Sequence, residues 1–211
     1  MNYEDHRRNY LLGGLRSHML TEKPFELFAQ WQQQAIDAGL KDPTAVSLGT
    51  VDAQGMLWQR IVLLKGVSNG GFVFFTNYHS NKSRALADNS RASMLFPWNE
   101  LDRQVSVGGF CEKVSDAESD AYFASRPRAS QLGAWASTQS AAIGTRDQLE
   151  ANYHAIVARF DGVDVPRPAH WGGFRLIADT VEFWQGGEHR LHDRFRYEYR
   201  DDVWQVRRLQ P

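Results

Sequence analysis

The sequence predicts a mainly antiparallel β protein with helices packed at its periphery. Three observations carry that expectation. Between Ala45 and Val114, runs rich in Val, Ile and Phe alternate with short turns. Strands joined by tight turns pair antiparallel, because parallel pairs need long crossovers. Two of the turns, Asp52-Ala53-Gln54-Gly55 and Ser68-Asn69-Gly70-Gly71, have hairpin chemistry. After a helical middle, strand-like runs return from Trp171. A meander closed by returning strands makes a barrel, which removes the edges that so apolar a sheet would expose.

The elements follow in order. Residues 1–20 are polar and broken by Gly13-Gly14, reading as a mobile arm or a frayed terminus ahead of one domain over 21–211. Phe25, Leu27, Phe28, Trp31 and Ile36 form a helical stripe from Pro24 to Ala38, with Pro24 in the first turn and Gly39 as the stop. Strands are expected over Ala45–Val51, Trp58–Lys65, Phe72–Thr76, Arg91–Phe96 and Arg103–Val114, with Ser80 capping a short helix through Asp88. Ser115-Asp116-Ala117-Glu118 is a capping box for a helix to Ser125. Pro127 restarts a helical stretch to Trp135, and Thr145 with Gln148 opens another to Phe160. The last strands are expected over Trp171–Ile177, Thr180–Trp184, Arg194–Tyr199 and Val203–Leu209.

Composition narrows the function. With 24 Lys and Arg against 25 Asp and Glu, the chain lacks the basic excess of a nucleic-acid binder, so any anion site must be local. One cysteine, Cys111, excludes an internal disulfide and suits a reducing compartment. The N-terminus lacks the apolar core of a signal peptide, and no apolar run approaches the ~20 residues of a membrane span. The expected setting is cytoplasmic. Phosphate-loop, dinucleotide-binding and His-Glu-x-x-His motifs are absent, and His189 and His192 have no further ligands near them, so no metal site is expected.

The chemistry concentrates in separate cationic groups. The stretch Trp184 to Phe195 reads as strand, glycine turn and second extended segment. Period-two alternation would set Arg190, His192 and Arg194 on one face, suited to an anion or an electron-rich ring, or else to a solvated edge. Arg60 and Lys65 bracket the apolar run Ile61-Val62-Leu63-Leu64. Asn81-Lys82-Ser83-Arg84 sits at a helix start, where free N–H groups favour phosphate. Ser125-Arg126-Pro127-Arg128-Ala129-Ser130 places two arginines and two hydroxyls at another helix junction, and Gln139-Ser140 follows in a polar loop. Two phosphate-type groups beside Trp184 and Tyr122 point to two phosphorylated planar ligands, such as a flavin nucleotide and a phosphorylated ring.

From Arg7 to Pro211 the chain resembles the pyridoxamine/pyridoxine 5′-phosphate oxidases, flavoproteins of split-barrel fold. The motifs that carry the likeness are Arg60 to Lys65, Leu95-Phe-Pro-Trp98, Arg103-Gln104-Val105, Ser125 to Arg128, Gln139-Ser140, Trp171-Gly-Gly-Phe174 and Phe183 to Phe195. The resemblance implies an FMN-dependent homodimer with FMN at the subunit interface. It implies that Arg60, Ile61, Val62, Leu63, Leu64, Lys65, Phe75, Thr76, Asn81, Lys82, Gln104, Gln139, Ser140, Trp184 and Arg194 hold the cofactor, some of them from the second subunit. By the same likeness Lys65, Tyr122, Arg126 and Ser130 hold the substrate phosphate. Arg190 and His192 lie over the pyridine ring as the catalytic pair, beside Leu191. Arg7, Arg8, Asn9 and Tyr10 form the arm over the substrate. The family commonly has Tyr at Phe75 and Arg at Asn81, so one guanidinium on the cofactor phosphate is missing unless Arg84 replaces it. Related split-barrel flavoproteins oxidise other rings, including phenazine precursors, and a non-enzymatic carrier of flavin or pyridoxal phosphate is the remaining alternative.

Overall fold

The computed structural model describes residues 9, 10 and 12–211. Arg7 and Arg8 of the expected arm lie outside the described residues. The strands are β1 Ala45–Val51, β2 Leu57–Leu63, β3 Gly66–Ser68, β4 Gly71–Asn77, β5 Arg91–Trp98, β6 Arg103–Lys113, β7 Trp171–Gln185, β8 Asp193–Arg200 and β9 Val203–Leu209. All pair antiparallel in one sheet, in the order β2-β1-β5-β6-β7-β4-β3, with β8 and β9 branching from β7.

Two differences from the sequence expectation build the barrel. The strand expected over Trp58–Lys65 stops at Leu63, and a short strand the sequence reading did not expect, β3, follows it. β2 ends on β1, and the Lys65 N–H donates to the Val73 carbonyl at 2.8 Å as the chain crosses to pair with β4 through β3. The two ends of the sheet path are thus joined by Leu64-Lys65, which curls the sheet closed. At the other side, the two strands expected after Trp171 are one. β6 runs beside β7 from Phe174 to Gln185, while the first half of β7 pairs with β4 and the second half with β8. The ladder absorbs the join as a register shift at Gly108/Gly109. A Cβ on Gly109 would lie 1.9 Å from the Ile177 carbonyl oxygen, so only glycine permits that approach.

Helix α1, Pro24–Asp37, plugs the barrel with Leu27, Phe28, Trp31 and Ala35. The Phe28 ring meets Phe72, Phe96 and Trp98 at centroid distances of 4.9, 4.8 and 5.7 Å. Ile36, expected on this face, is 47% exposed. The 3.6-residue period carries the stripe from Phe28 and Trp31 to Ala35 instead. Leu15 is buried in the same core, and its N–H donates to Asp193 at 3.0 Å. The arm is therefore anchored from this point onward.

Helix α2, Asn81–Asp88, follows β4. A second layer contains α3 Asp116–Ser125, α4 Arg128–Ala136 and α5 Arg146–Arg159. Its own core joins Phe123, Leu132, Phe160 and Val165 to Trp171 of β7. Ser115 and Thr145 cap α3 and α5 by accepting the Glu118 and Gln148 N–H groups at 3.1 and 3.2 Å. The capping box is one-sided, because the Glu118 carboxylate turns to Arg175 at 2.9 Å. Among the described residues no helix is long and apolar enough to cross a membrane.

Gly109→Ala should cost about 2–3 kcal/mol of stability, the order expected when a packed site is overfilled. Gly108→Ala should cost little, since a Cβ there would meet the Thr180 Cβ only at 3.8 Å. Urea midpoints for the two variants check this; equal midpoints would dismiss the bulge as the constraint.

Candidate active site

A cleft of about 970 Å³ opens between the barrel wall and the helical layer. It brings together most of the expected anion groups. Arg60, Ile61, Val62, Leu63 and Lys65 come from β2 and its crossover. Phe75 and Thr76 come from β4, Asn81 and Lys82 from the start of α2, and Gln139 and Ser140 from the loop after α4. Tyr122, Arg126 and Ser130 line the same cleft from α3, its end and α4. Leu64, expected with its neighbours, is 4% exposed and turns its side chain into the barrel core.

Arg60, Lys65, Lys82 and Arg126 all line this cleft, and among the described residues no Asp or Glu does. Two arginines outside the cleft do have acids: Arg167 pairs with Asp116 and Asp120, and Arg175 with Glu112 and Glu118. Lys82 is 9% exposed, and its Nζ donates to Gln139 Oε1, Thr76 Oγ1 and Ser80 Oγ at 3.0, 3.1 and 3.2 Å. Burial, and then the charge of Arg60, pushes its pKa down to about 8. Arg60 donates to the Leu48 carbonyl at 3.0 Å and to Thr50 Oγ1 at 2.8 Å, neutral acceptors that leave its charge uncancelled. Arg126 Nη1 is buried without a hydrogen-bond partner. Buried donors are rarely left orphaned, so this one points to a ligand oxygen. The residues therefore fit anionic, phosphate-bearing ligands.

The helix-start group forms as expected, with the Asn81 N–H donating to Ser140 Oγ at 3.2 Å. Arg84 does not supply the missing guanidinium. It is held by the His79 carbonyl and Asn81 Oδ1, and it does not line the cleft.

The remaining expected residues gather elsewhere. Gln104, Trp184 and Arg194 lie side by side across β6, β7 and β8. Tyr10, Leu191 and His192 line a second cleft that shares no residue with the first. Tyr10 meets Trp184 and His192 edge-on at 5.6 and 5.2 Å, whereas Asn9 is exposed. The extended segment expected through Arg190 is a 3₁₀ turn, Glu188–Arg190, in which His189 and Arg190 are left-handed at φ 54° and 62°. Strand alternation therefore fails there, and Arg190, His192 and Arg194 do not share one strand face. His192 Nδ1 accepts the Gly187 N–H at 3.1 Å, so the neutral ring carries its proton on Nε2. Burial, with Arg190 beside it, lowers the His192 pKa and favours this neutral form. Arg194 is bound to Glu182 at 2.7 Å and to the Gln210 carbonyl at 3.0 Å.

Residues 32–160 match the family described as Pyridoxamine 5'-phosphate oxidase, and residues 171–211 match the Pyridoxine 5'-phosphate oxidase C-terminal dimerisation region. The chain belongs to the pyridoxamine 5'-phosphate oxidase family. It is 53% identical over 207 residues to a pyridoxine/pyridoxamine 5'-phosphate oxidase of Yersinia enterocolitica, covering 98% of this chain and 95% of that one. It is 49% identical to the Aliivibrio salmonicida protein of the same name over the full length of both. Among solved structures, PhzG from Burkholderia lata, in complex with tetrahydrophenazine-1-carboxylic acid, superposes with a TM-score of 0.88 at 30% identity. That match covers 93% of this chain and 98% of PhzG. A pyridoxamine 5'-phosphate oxidase-related, FMN binding protein from Nostoc punctiforme shares the fold, with a TM-score of 0.71 at 14% identity, covering 91% of this chain and 100% of that one. The split barrel expected for this family is borne out. Sequence reasoning gave no site role to Trp171, Asn77 or Ser137, which also line the first cleft. The only signal was the Trp171-Gly-Gly-Phe174 motif.

The Lys82 pKa sets a pH dependence. A phosphate-bearing ligand needs the ammonium, so its affinity should fall as pH rises through about 8. Binding above that pH should take up a proton. Without ligand the sign reverses. The unfolded lysine holds its proton to higher pH, so stability should rise from about pH 8 towards the ordinary lysine value of 10.5. Calorimetry in buffers of different ionisation enthalpy measures the proton uptake, which Lys82→Met should abolish.

Proposed function

We propose that this protein oxidises pyridoxine 5′-phosphate and pyridoxamine 5′-phosphate to pyridoxal 5′-phosphate in vitamin B6 metabolism. FMN is the cofactor and dioxygen the acceptor; hydrogen peroxide is released, with ammonia from the amine. The observation that carries this reading is the acid-free cleft, whose cations fall into two groups. Arg60 and Lys82 are one phosphate group, on the barrel side. Lys65, Arg126, Tyr122 and Ser130 are the other. Two phosphorylated rings satisfy both, and relatives about half identical across the whole chain carry the name of this activity.

Bound FMN supplies hydride acceptance from the substrate C4′ and its own reoxidation by dioxygen. The chain's residues bind, orient and exclude water. Arg60 to Leu63, Lys65, Phe75, Thr76, Asn81, Lys82, Gln139 and Ser140 hold the cofactor, and Leu64 takes part only through the backbone it shares with them. Lys65, Tyr122, Arg126 and Ser130 anchor the substrate phosphate, so binding remote from C4′ fixes the reacting geometry. Arg190 orients the pyridine ring. His192 donates from Nε2 to the ring substituent as a neutral imidazole, and no carboxylate in the cleft acts as base.

The functional unit is a homodimer. One subunit gives the first cleft, and its partner gives Gln104, Trp184, Arg190, Leu191, His192 and Arg194. Leu57, Ile61 and Leu63 are 74%, 62% and 44% exposed on one face of β2, an apolar surface suited to a second copy. Asn9 and Tyr10 continue the arm that closes over the substrate, and the setting is cytoplasmic. A phenazine-type substrate is the second reading, favoured by the PhzG superposition. The phosphate group of Lys65, Tyr122, Arg126 and Ser130 weighs against it, because a single carboxylate would engage fewer of these donors than a phosphate monoester.

Anaerobic addition of pyridoxine phosphate should bleach the flavin band of the purified protein, and an unchanged spectrum would remove this activity. Arg190→Ala should lower turnover while flavin stays bound; lost flavin with normal turnover per flavin would count against its role. Lys65→Ala should raise the KM for the phosphorylated substrate about ten-fold, the effect of one charged hydrogen bond.

A further inference from the structure

The phosphate group of the cleft contains a guanidinium with no acid to hold it. What fixes Arg126 is aromatic. Its Cζ lies 4.6 Å from the centre of the Trp171 ring and 5.6 Å from that of Phe123. Trp171 is 6% exposed and is the first residue of β7, where its backbone pairs with Asn77. The same indole lies nearly parallel to Tyr122, at 6.1 Å and 8°, and to Phe75, at 5.5 Å and 11°. Phe75 in turn stacks on Tyr122 at 4.0 Å. Gly173 lies opposite Phe75 in the ladder, and a Cβ there would come within 2.8 Å of the Phe75 ring, so the pile needs that glycine.

We infer that Trp171 is a positioning residue for phosphate recognition, setting Arg126 and Tyr122 together through a shared stack. This rests on the reading that Arg126 anchors the substrate phosphate. The physical reason for a ring in this place is that it orients a cation without cancelling its charge. A carboxylate would hold Arg126 equally firmly, but it would compete with the incoming phosphate, as the acids on Arg167 and Arg175 would. An indole attracts the guanidinium through its face and leaves the Nη1 donor, buried and unpartnered, for the ligand. The device selects phosphate monoesters of flat rings over their free alcohols, because only the ester completes the donor.

Trp171→Leu removes the face and keeps an apolar side chain. In the flavin-loaded enzyme it should raise the KM for pyridoxine phosphate about ten-fold, the scale of a desolvated cation–π contact. It should leave kcat and bound flavin per subunit within about two-fold, a split that general loosening of the fold would not give. Trp171→Phe, which keeps a ring, should recover most of the lost KM, and it serves as the test if the leucine variant does not fold. Inorganic phosphate, as a competitive inhibitor, should weaken in parallel with the substrate. In an Arg126→Ala background Trp171→Leu should add only the smaller part of the loss, the part carried through Tyr122. A full additional loss there would overturn the positioning role while leaving the anchor in place. An Arg126→Ala enzyme with unchanged KM would instead remove the anchor itself, and this inference with it. A kcat or flavin loss in Trp171→Phe with KM unchanged would also overturn it.

Discussion

The cleft holds more positive charge than the protein cancels, and the rest of the architecture serves that imbalance. Bringing cations together in a half-dry space is costly, and the usual remedy is an acid. This chain applies the remedy away from the cleft, at Arg167, Arg175 and Glu182, and withholds it inside. There the cations rest on carbonyls, hydroxyls, an amide and an indole face. Each of these orients a charge without neutralising it, and the lowered Lys82 pKa is the mark left by the uncancelled burial. Such a site is complete only when anions enter, so binding energy is stored in the scaffold before the ligand arrives. Holding the cations against their own repulsion requires rigid mounts, and they come from β2, α2, β7 and the α3–α4 junction, which pack against two separate cores.

Strand β7 measures the distance between the two halves of the site. Trp171 opens it beside the first cleft, and Trp184 lies near its other end against His192 of the second. Thirteen steps of strand span roughly 40 Å when extended, and twist shortens this only in part. One subunit therefore cannot bring its own Trp184, Arg190 and His192 to its own Lys65 and Arg126. A two-fold pair could, on the reading proposed above: an isologous interface that brought the end of each β7 to the partner's cleft would make two complete sites at once. The match of residues 171–211 to a dimerisation region agrees with that geometry.

The parts of this fold that were legible in the sequence are those fixed by neighbours in the chain. Pro24, Gly39, Ser115 and Thr145 mark helix ends because a cap is a local event, and the four residues fall where expected. Apolar periodicity placed the strands, but it cannot see what lies alongside. It split β7 at Ala178-Asp179, where β6 holds the strand together, and it ran β2 on to Lys65 and missed β3, where the chain changes partner. The same blindness put Ile36 in the core in place of Ala35. The cationic groups were legible as separate clusters, since charge pattern and helix starts are local too. Their gathering into one cleft was not, because it depends on barrel closure. Trp171 escaped notice because an apolar ring at the start of a strand looks like core, and only its neighbours reveal that it carries a guanidinium.

The loop after β7 follows no local rule, and there the structure spends stability. His189 and Arg190 are consecutive left-handed residues, neither of them glycine, each costing on the order of 1 kcal/mol. Surrounding contacts hold them in place. Gly186 donates to the Asp102 carbonyl at 2.7 Å, Gly187 to His192 at 3.1 Å and Leu191 to the Glu188 carbonyl at 2.9 Å. The two glycines are demanded by crowding: a Cβ on Gly186 would meet the Tyr10 ring at 2.5 Å, and one on Gly187 the Leu191 carbonyl at 2.4 Å. The product of this forced turn is an exposed Arg190 beside a Leu191 that is 70% exposed. On the dimer reading proposed above, a partner's cleft would give the displayed arginine its use, as the group that lies over a ring. It also accounts for a loop built rigid from both sides, because a flexible one would lose ordering entropy each time a substrate bound.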